Sequence, residues 1–435
     1  MANPTTIISE RQKFKKTPAG EIPVDWRAEQ LGNLCVEGPE YGANVPGIEF
    51  REGLPRYIRI TDVNDDGTLS PLEKKSINRE EAQPYLLKLG DIIFARSGAT
   101  VGKTYLYKTH DGSCAFAGYT IRFKPARQLL LSEFLFQFTH SNFYYQWVKN
   151  MLRAGAQPNI NGSEYASLFL PLPSIQEQKK IVEILSAADD ALDRARAVIE
   201  KTKELKKGLM QTLLTRGIGH KKFKKTPIGE IPEEWEIAPI SGLCIINPSK
   251  TEIGHSENAT KVSFIRMENI REDASGISEI QEGKLGNFIN KGYTYFREGD
   301  LLFAKITPCM ENGKVALARN LQGGIGFGST EFHVLRPDPD EVSSQYLFYW
   351  ISQKSFRELA ARHFRGSAGQ QRVQRDFFDD AFIPTPSLSE QKKIAEILTS
   401  VDLKIEKEEM ACKILEEQKK ALMQNLLSGK VRVLN

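Results

Sequence analysis

The chain contains one sequence unit twice in tandem, and this repeat limits the possible folds more than any other feature. Residues 13–26 (KFKKTPAGEIPVDW) return as residues 222–235 (KFKKTPIGEIPEEW). Residues 90–96 (GDIIFAR) return at the same offset as residues 299–305 (GDLLFAK). Repeats of this length predict two copies of one structural unit.

Between the repeated segments the two copies diverge. Residues 36–85 share almost nothing with residues 245–295, and residues 140–168 share little with residues 352–381. We interpret the chain as one duplicated framework that surrounds two unlike variable parts.

Each copy begins with about 150 residues of short apolar runs broken by Gly, Asn and Pro, a pattern typical of strands and loops. Strands are predicted at 91–95, 104–107 and 120–123, and a helix around 132–151. The predicted fold class is α+β, with two mixed α/β domains joined by two long helices in a pseudo-twofold internal repeat. The predicted boundaries are 1–173 for the first domain, 174–217 for the central coiled-coil helix, 218–386 for the second domain and 387–435 for the C-terminal coiled-coil helix.

The start of a long helix is predicted twice, in PLPSIQEQKKIVEIL at 171–185 and in PTPSLSEQKKIAEIL at 384–398. Both contain S-x-x-E, the capping box in which the serine caps the third helical amide and the glutamate reaches back. A proline precedes each serine and cannot lie in a helix interior. Gly217 and Gly429 are predicted C-terminal stops, which gives two helices of about 40 residues and about 60 Å.

Apolar residues alternate by four and three along both helices, as in the seam of a coiled coil. Glu408 and Lys419 interrupt the second seam. We expect the helices to pair as an intramolecular antiparallel coiled coil, and the alternative is that each packs only on its own domain. The predicted seam residues are Ile181, Leu185, Ala188, Leu192 and Ile199 in the first helix, and Ile394, Leu398, Val401, Ile405 and Leu415 in the second.

Composition excludes several classes of protein. The five cysteines lie singly with no CxxC pair, so neither a disulfide framework nor a zinc site is expected. No apolar run approaches the roughly 20 residues that span a bilayer, and the N-terminus has no apolar signal region. We expect a soluble, cytoplasmic protein. The net charge of +4 does not by itself indicate nucleic-acid binding.

Catalytic motifs are missing from the sequence. Residues 98–104 (GATVGKT) resemble a P-loop but have three residues between the glycines, where a P-loop has four. The six histidines occupy unmatched positions, and none has a metal-ligand or acid–base spacing. The sequence therefore predicts a binding protein, not an enzyme, with no metal site and no cofactor of its own.

The doubled helix opening, the GEIPxxW segment and the Gly-Asp-aliphatic-aliphatic-Phe-Ala run together resemble the specificity (S) subunit of type I restriction–modification systems. The resemblance extends from about residue 13 to residue 427. It implies a non-catalytic subunit of a bacterial defence system whose two target-recognition domains each read one half of a bipartite, asymmetric sequence in double-stranded DNA. The helices would set the spacer and dock two copies of a modification methyltransferase subunit. A separate restriction and translocase subunit would complete the complex, and S-adenosylmethionine and ATP would belong to those partners.

Candidate DNA contacts are sought in polar loops that differ between the copies. Arg and Lys suit guanine, whereas Asn and Gln suit adenine. For each single residue, a solvated surface group is the alternative. The candidates are Arg96, Lys103, Arg153, Gln157, Asn159 and Asn161 in the first copy, and Lys305, Lys314, Arg365, Gln370, Gln371, Arg372 and Arg375 in the second.

Two other functions remain open from the sequence. One is a specificity subunit of a related system in which a single partner chain both methylates and cleaves. The other is a structural adaptor whose coiled coil joins two protein-binding domains. Binding anchored on phosphates weakens steeply as salt rises, which distinguishes DNA recognition from the adaptor.

Overall fold

The computed structural model describes residues 13–152, 157–254, 257–367 and 369–433. Internal contacts divide the chain into two compact units. Unit 1 comprises Met1–Arg196 and Met410–Asn435, and unit 2 comprises Ala197–Glu409. Each of the two long helices therefore contributes residues to both units.

Unit 1 contains twelve strands and four short α-helices among its described residues, followed by the start of the first long helix. The strands are β1 (Phe14–Thr17), β2 (Gly20–Pro23), β3 (Arg27–Gln30), β4 (Glu40–Tyr41), β5 (Ile48–Glu49), β6 (Arg56–Ile58), β7 (Lys75–Ser76), β8 (Ile92–Ala95), β9 (Thr104–Leu106), β10 (Cys114–Phe116), β11 (Thr120–Phe123) and β12 (Phe169–Leu172). The helices are α1 (Arg79–Ala82), α2 (Ser132–Phe138), α3 (Asn142–Met151), α4 (Gly162–Ala166) and the long α5 (Ile175–Arg216).

Unit 2 contains fourteen strands and four short α-helices among its described residues, followed by the second long helix. Its strands are β13 (Phe223–Thr226), β14 (Gly229–Pro232), β15 (Glu236–Pro239), β16 (Cys244–Ile246), β17 (Lys261–Ile265), β18 (Gln281–Lys284), β19 (Thr294–Arg297), β20 (Leu301–Ala304), β21 (Val315–Leu317), β22 (Ile325–Gly328), β23 (Phe332–Pro337), β24 (Phe364–Arg365), β25 (Arg372–Val373) and β26 (Phe382–Thr385). Its helices are α6 (Ile240–Leu243), α7 (Ser344–Ile351), α8 (Lys354–Ala361), α9 (Phe377–Asp380) and the long α10 (Leu388–Leu427).

Each unit contains two four-stranded sheets, of which the first has equivalent strand orders in the two units and the second, β10-β6-β7-β5 and β18-β17-β22-β19, does not. One has the order β4-β11-β8-β9 in unit 1 and β16-β23-β20-β21 in unit 2, with antiparallel neighbours throughout. The other contains one parallel pair, β6 with β10 in unit 1 and β17 with β22 in unit 2. The mixed α/β repeat predicted from the sequence is confirmed, and the extra β24–β25 hairpin lies in a stretch where the copies diverge.

The Gly-Asp-aliphatic-aliphatic-Phe-Ala run is the central strand of the core in both units. All four residues of β8 and all four of β20 are buried. In unit 1, Phe94 packs edge-on against Phe123 with ring centroids 5.2 Å apart. The predicted helix around 132–151 is wrong as a single element, because Ser141 accepts a hydrogen bond from Tyr144 N and starts α3 separately from α2.

The long helices begin where the serine caps predict. Ser174 Oγ accepts from Glu177 N at 3.3 Å, and Ser387 Oγ accepts from Glu390 N at 3.3 Å. The helices have 42 and 40 residues, and glycines with φ of +63° and +69°, Gly217 and Gly429, follow them. The left-handed backbone at these ends favours glycine.

The second half of each predicted capping box is wrong, because the glutamates bond elsewhere. Glu177 accepts from the Trp26 indole at 3.0 Å, and Glu390 accepts from the Trp235 indole at 3.1 Å. Each tryptophan ring is 1% exposed, so its N–H needs an acceptor that reaches into the core. We call Trp26, Glu177, Asp25 and Arg432 anchor 1, and Trp235, Glu390 and His220 anchor 2.

The seam residues pack in both units. In unit 1, Ile181 and Leu185 are buried with Met423 and Leu426 of α10 and with residues of the globular part. In unit 2, Ile394 and Leu398 are buried with Leu214 of α5 in the same way. The helices therefore pair with each other within each unit, and each helix start also packs on its own domain, so packing on the domain alone is wrong. Leu192, Ile199 and Ile405 are also buried, and Ala188, Val401 and Leu415 are half-buried.

Ion pairs show the direction of helix pairing within each unit. In unit 1, Asp189 pairs with Lys419, and Arg196 pairs with Glu416 at 2.7 Å. Residue numbers rise along α5 as they fall along α10, so the pairing is antiparallel. In unit 2, Lys203–Glu409 at 2.9 Å and Lys206–Asp402 at 2.6 Å show the same direction. Lys419 thus interrupts the apolar seam with an ion pair.

None of the helices among the described residues is long and apolar enough to cross a membrane. Across the same residues, no group of three or more His, Cys, Asp or Glu side chains is arranged to hold a metal ion.

Candidate nucleic-acid interface

In unit 1, the end of β8 is joined to the polar segment that precedes α4 by backbone hydrogen bonds. Arg96 N donates to Tyr119 O at 3.0 Å, and Ile160 N donates to Arg96 O at 2.9 Å. Gly98 N donates to Pro158 O at 3.0 Å, and Ser97 forms a bridge with Asn159.

Unit 2 contains the same bonds at the end of β20. Lys305 N donates to Glu331 O at 2.9 Å, and Val373 N donates to Lys305 O at 2.9 Å. Thr307 N donates to Gln371 O at 3.0 Å, and Ile306 forms a bridge with Arg372. We call this backbone arrangement, with its exposed side chains, the platform of each unit.

The hydrogen bonds establish a residue-by-residue correspondence that the divergent sequences conceal. Arg96 corresponds to Lys305, Tyr119 to Glu331, Pro158 to Gln371, and Asn159 to Arg372. One position thus keeps a basic residue in both units, and the other three differ in size, charge or hydrogen-bonding capacity.

Arg96, a sequence-predicted candidate, lies over an aromatic ring in unit 1. Its guanidinium carbon lies 4.9 Å from the centroid of the Tyr41 ring, within the range of a cation–π interaction. Its buried Nε has no hydrogen-bond partner among the described residues. The Tyr41 ring is itself held, because its hydroxyl accepts from Gly162 N at 3.0 Å.

The other first-copy candidates divide by what their side chains already contact. Gln157 and Asn159 are exposed on the platform. Asn161 caps α4 by accepting from Glu164 N at 2.9 Å, so its side-chain oxygen has a structural use. Lys103 pairs with Asp65 at 2.8 Å and donates to a backbone carbonyl. Lys314 in unit 2 also donates to a backbone carbonyl. Arg153 lies outside the described residues.

In unit 2 the candidate arginines carry carboxylate partners. Arg372 makes two hydrogen bonds to Glu331, both at 2.9 Å. Arg365 pairs with Asp376 at 3.0 Å, and Arg375 lies 3.8 Å from Asp379. Lys305, Gln370 and Gln371 are the remaining polar candidates there, with Gln370 exposed and the other two half-buried.

The charge state of this platform follows from its contacts. The hydrogen bonds from Arg372 hold the pKa of the Glu331 carboxyl below its usual range, so the pair is ionic at neutral pH. Burial lowers the pKa of His333, which leaves the ring neutral. His333 Nε2 lies 2.9 Å from Val373 O, a geometry in which the neutral ring donates to that carbonyl and fixes the strand of Arg372.

The sequence interpretation did not identify Tyr41, Tyr119, Glu331 or His333. Tyr119 and Glu331 each stand just before the strand that pairs with the Gly-Asp strand, β11 in unit 1 and β23 in unit 2. The sequence signal that could have identified these two residues is that unlike side chains occupy the same position of a repeated framework.

A family model, described as the type I restriction modification DNA specificity domain, matches residues 23–203 and again residues 232–415. The chain belongs to this family. Its relatives are named as specificity subunits of type I restriction enzymes, a DNA-recognition role rather than a catalytic one.

Individual relatives agree with this assignment. The putative type I restriction enzyme MjaX specificity subunit of Methanocaldococcus jannaschii is 28% identical over 446 residues, which cover 98% of both chains. The type I restriction enzyme EcoEI specificity subunit of Escherichia coli is 38% identical over 202 residues, 46% of this chain and 32% of the relative.

Two solved structures share the fold. One, from work on complex assembly and conformational transition of the type I R-M system, aligns with a TM-score of 0.54 and 17% identity over 93% of this chain and 98% of the other. The other is the type I restriction-modification system S subunit from M. genitalium, with a TM-score of 0.54 and 12% identity over 94% of this chain and 99% of the other.

Proposed function

We propose that this specificity subunit reads a bipartite, asymmetric DNA target in the cytoplasm, with one half-site contacted by the platform of each unit. The observation that carries the proposal is one backbone arrangement that presents unlike side chains in the two units. Phosphates are the same in every sequence, whereas base edges differ. A position basic in both units, Arg96 and Lys305, therefore suits phosphate, and the positions that differ suit bases.

The long helices are proposed to set the spacer between the half-sites. At 1.5 Å per residue, the 42 residues of α5 extend about 63 Å. Half-sites that face the same side of B-DNA are about 34 Å apart or a multiple of that distance. A helix of this length is sufficient for such a spacing.

Docking of two identical methyltransferase subunits would use residues that are the same in both copies and that packing does not explain. Other identical residues are explained by packing. Gln178 and Gln391 are fully buried, and each accepts from a backbone N–H in its own unit, Leu131 N and Ser343 N. Packing therefore explains these identical residues.

Packing does not explain the identical exposed residues on the same helix turns. Lys179 and Glu183 are exposed on α5, and Lys392 and Glu396 are exposed on α10. We propose that these two equal faces are part of the surfaces for two copies of one partner. A system in which a single partner chain methylates and cleaves would use the same faces.

The test is to co-express the chain with its partner methyltransferase and to sequence the host DNA for modified adenines. A two-part motif with a fixed gap is the expected result. Unmodified DNA from a complex shown to be intact and active would contradict the proposal. Binding of the purified complex to DNA should also weaken steeply as salt rises, and salt-independent binding would favour the adaptor.

The spacer function has its own test. An insertion of four residues after Ala195 adds about one helical turn to α5. The gap in the motif should lengthen while both half-sites stay the same. Changed half-sites with an unchanged gap would contradict this role of the helices.

A further inference from the structure

The guanidinium of Arg372 is fixed in direction by three of its own donors. Nε and Nη2 donate to the two oxygens of Glu331 at 2.9 Å each, and Nη1 donates to Gln370 O at 3.0 Å. Arginine has five N–H donors, so one remains on each of the two η nitrogens. Two donors on neighbouring nitrogens match O6 and N7 of guanine in the major groove.

The backbone that carries Arg372 is fixed as well. The neighbouring Val373 is 1% exposed, its N–H donates to Lys305 O, and its carbonyl lies 2.9 Å from His333 Nε2. A side chain that reads a base must be held in a defined geometry by its surroundings. Arg372 has such support at both the backbone and the guanidinium.

From this arrangement we propose that Arg372 reads a guanine in the half-site of unit 2, and that Glu331 is the positioning residue that orients it. This inference rests on the proposed function, because it assigns a base to the platform of that unit.

The acidic partner argues for a base over a phosphate. A carboxylate on a surface that faces DNA repels phosphate, so Glu331 weakens non-specific attraction. Its benefit is orientation of the arginine. The corresponding position in unit 1 holds Asn159, whereas a phosphate contact would serve both units equally.

The neighbouring arginines provide the contrast. The side chains of Arg365 and Arg375 are 70% and 60% exposed, and that of Arg372 is 37% exposed. Each of the two is paired with one aspartate, without the two-bond geometry of Arg372 and Glu331. Exposed cations of this kind suit phosphate, so Arg375→Ala is the matched control.

The experiment uses the full chain co-expressed with its partner methyltransferase, and modified adenines are mapped in host DNA. Arg372→Ala should lower the preference for one G·C pair in one half-site by about 5- to 150-fold, the range for loss of a bidentate base contact. The other half-site and the gap should not change. Arg372→Lys keeps the charge but loses the fork, so it should relax the same position.

Glu331→Gln tests the positioning role separately. It should relax the same G·C pair by a smaller factor, with overall DNA binding unchanged or stronger because a negative charge is removed. Arg375→Ala should weaken binding to all sequences and leave the motif intact. Thermal unfolding and complex formation of Arg372→Lys and Glu331→Gln should match the parent chain, which separates specificity from folding.

The outcomes distinguish a failure of this inference from a failure of the proposed function. A two-part motif that keeps its guanine preference in Arg372→Ala and Arg372→Lys overturns this inference alone. An equal loss at every position of the half-site also overturns it, because it indicates a phosphate contact. A parent complex that is active but shows no two-part motif overturns the proposed function and this inference with it.

Discussion

At the anchors the two units share a tryptophan and a glutamate side chain, whereas at the platforms they share the backbone arrangement and differ in their side chains. At the anchors, a glutamate accepts from a buried indole in both units, and the basic side chain next to the glutamate differs. In anchor 1 that side chain is Arg432, which bonds to Glu177 through Nε at 2.6 Å and Nη2 at 2.9 Å. In anchor 2 it is His220, whose Nε2 lies 2.9 Å from Glu390 Oε1.

At the platforms the backbone is the same and the side chains are unlike. The duplicated framework is therefore defined by its hydrogen-bond pattern and not by residue identity alone. Side chains that satisfy a buried donor are restricted to an acceptor of suitable reach. Side chains that point outward from a platform are not restricted by folding, and there specificity can differ between the units.

The largest expected effect comes from Glu177→Ala in anchor 1. The change leaves the Arg432 guanidinium, 9% exposed, with only the more exposed Asp25 as a partner, and it leaves the Trp26 indole without an acceptor. Breaking a buried ion pair by removal of one partner costs about 3–5 kcal/mol. Hydrogen exchange resolved by mass spectrometry should show faster exchange across unit 1 only. The control is Glu183→Ala, an exposed position of the same helix, which should stay within about 0.5 kcal/mol of the parent.

Glu390→Ala in anchor 2 should have a smaller effect. It leaves the Trp235 indole and Ile218 N without an acceptor, but no buried arginine loses a carboxylate partner. The expected loss is about 1–3 kcal/mol in unit 2, measured in the same exchange experiment with Glu396→Ala as control. Equal losses for Glu177→Ala and Glu390→Ala would show that the charge of Arg432 does not matter.

Two substitutions on the platforms should change DNA binding in different ways. Asn159→Ala should relax one base pair of the half-site of unit 1 by about 1–3 kcal/mol, as seen in the methylation motif. Lys305→Ala should leave the motif intact and reduce the slope of log binding constant against log salt by about 0.9. If Lys305→Ala changed the motif, the division into shared phosphate positions and unlike base positions would be wrong.

The smallest expected effect is at the exposed edge of anchor 1. Hydrogen bonds from Arg432 lower the pKa of Asp25 in the folded protein. A carboxyl with a lowered folded pKa stabilises the fold above its unfolded pKa, and this contribution disappears as pH falls through the folded value. Asp25→Asn should therefore cost less than about 1 kcal/mol at neutral pH and nothing in strong acid, as measured by thermal unfolding against pH. A cost that persists in acid would contradict an ionic origin.

Much of this fold is predictable from local sequence. The serine caps locate both helix starts, and the heptad pattern identifies the buried seam, because both depend on residues a few positions apart. The break between α2 and α3 was also local, since Ser141 caps α3, but a continuous apolar pattern concealed it.

The anchors and platforms could not be predicted in this way. The glutamate of anchor 1 bonds to a tryptophan 151 residues away, and its local pattern is equally that of a capping box. On the platforms, main-chain groups of residues 96–98 and 158–160 form the hydrogen bonds. Main-chain donors and acceptors are the same for nearly every residue type, so the sequence does not record them.

The division of the chain into units also has a consequence for its synthesis. Unit 2 is one continuous stretch, Ala197–Glu409, whereas the core of unit 1 contains Met423, Leu427 and Val433 together with residues near Trp26. Domains fold as translation makes their residues available, at about 5–20 residues per second. Unit 1, although its first strands emerge earliest from the ribosome, therefore completes its core after unit 2, and its apolar surface stays exposed for longer.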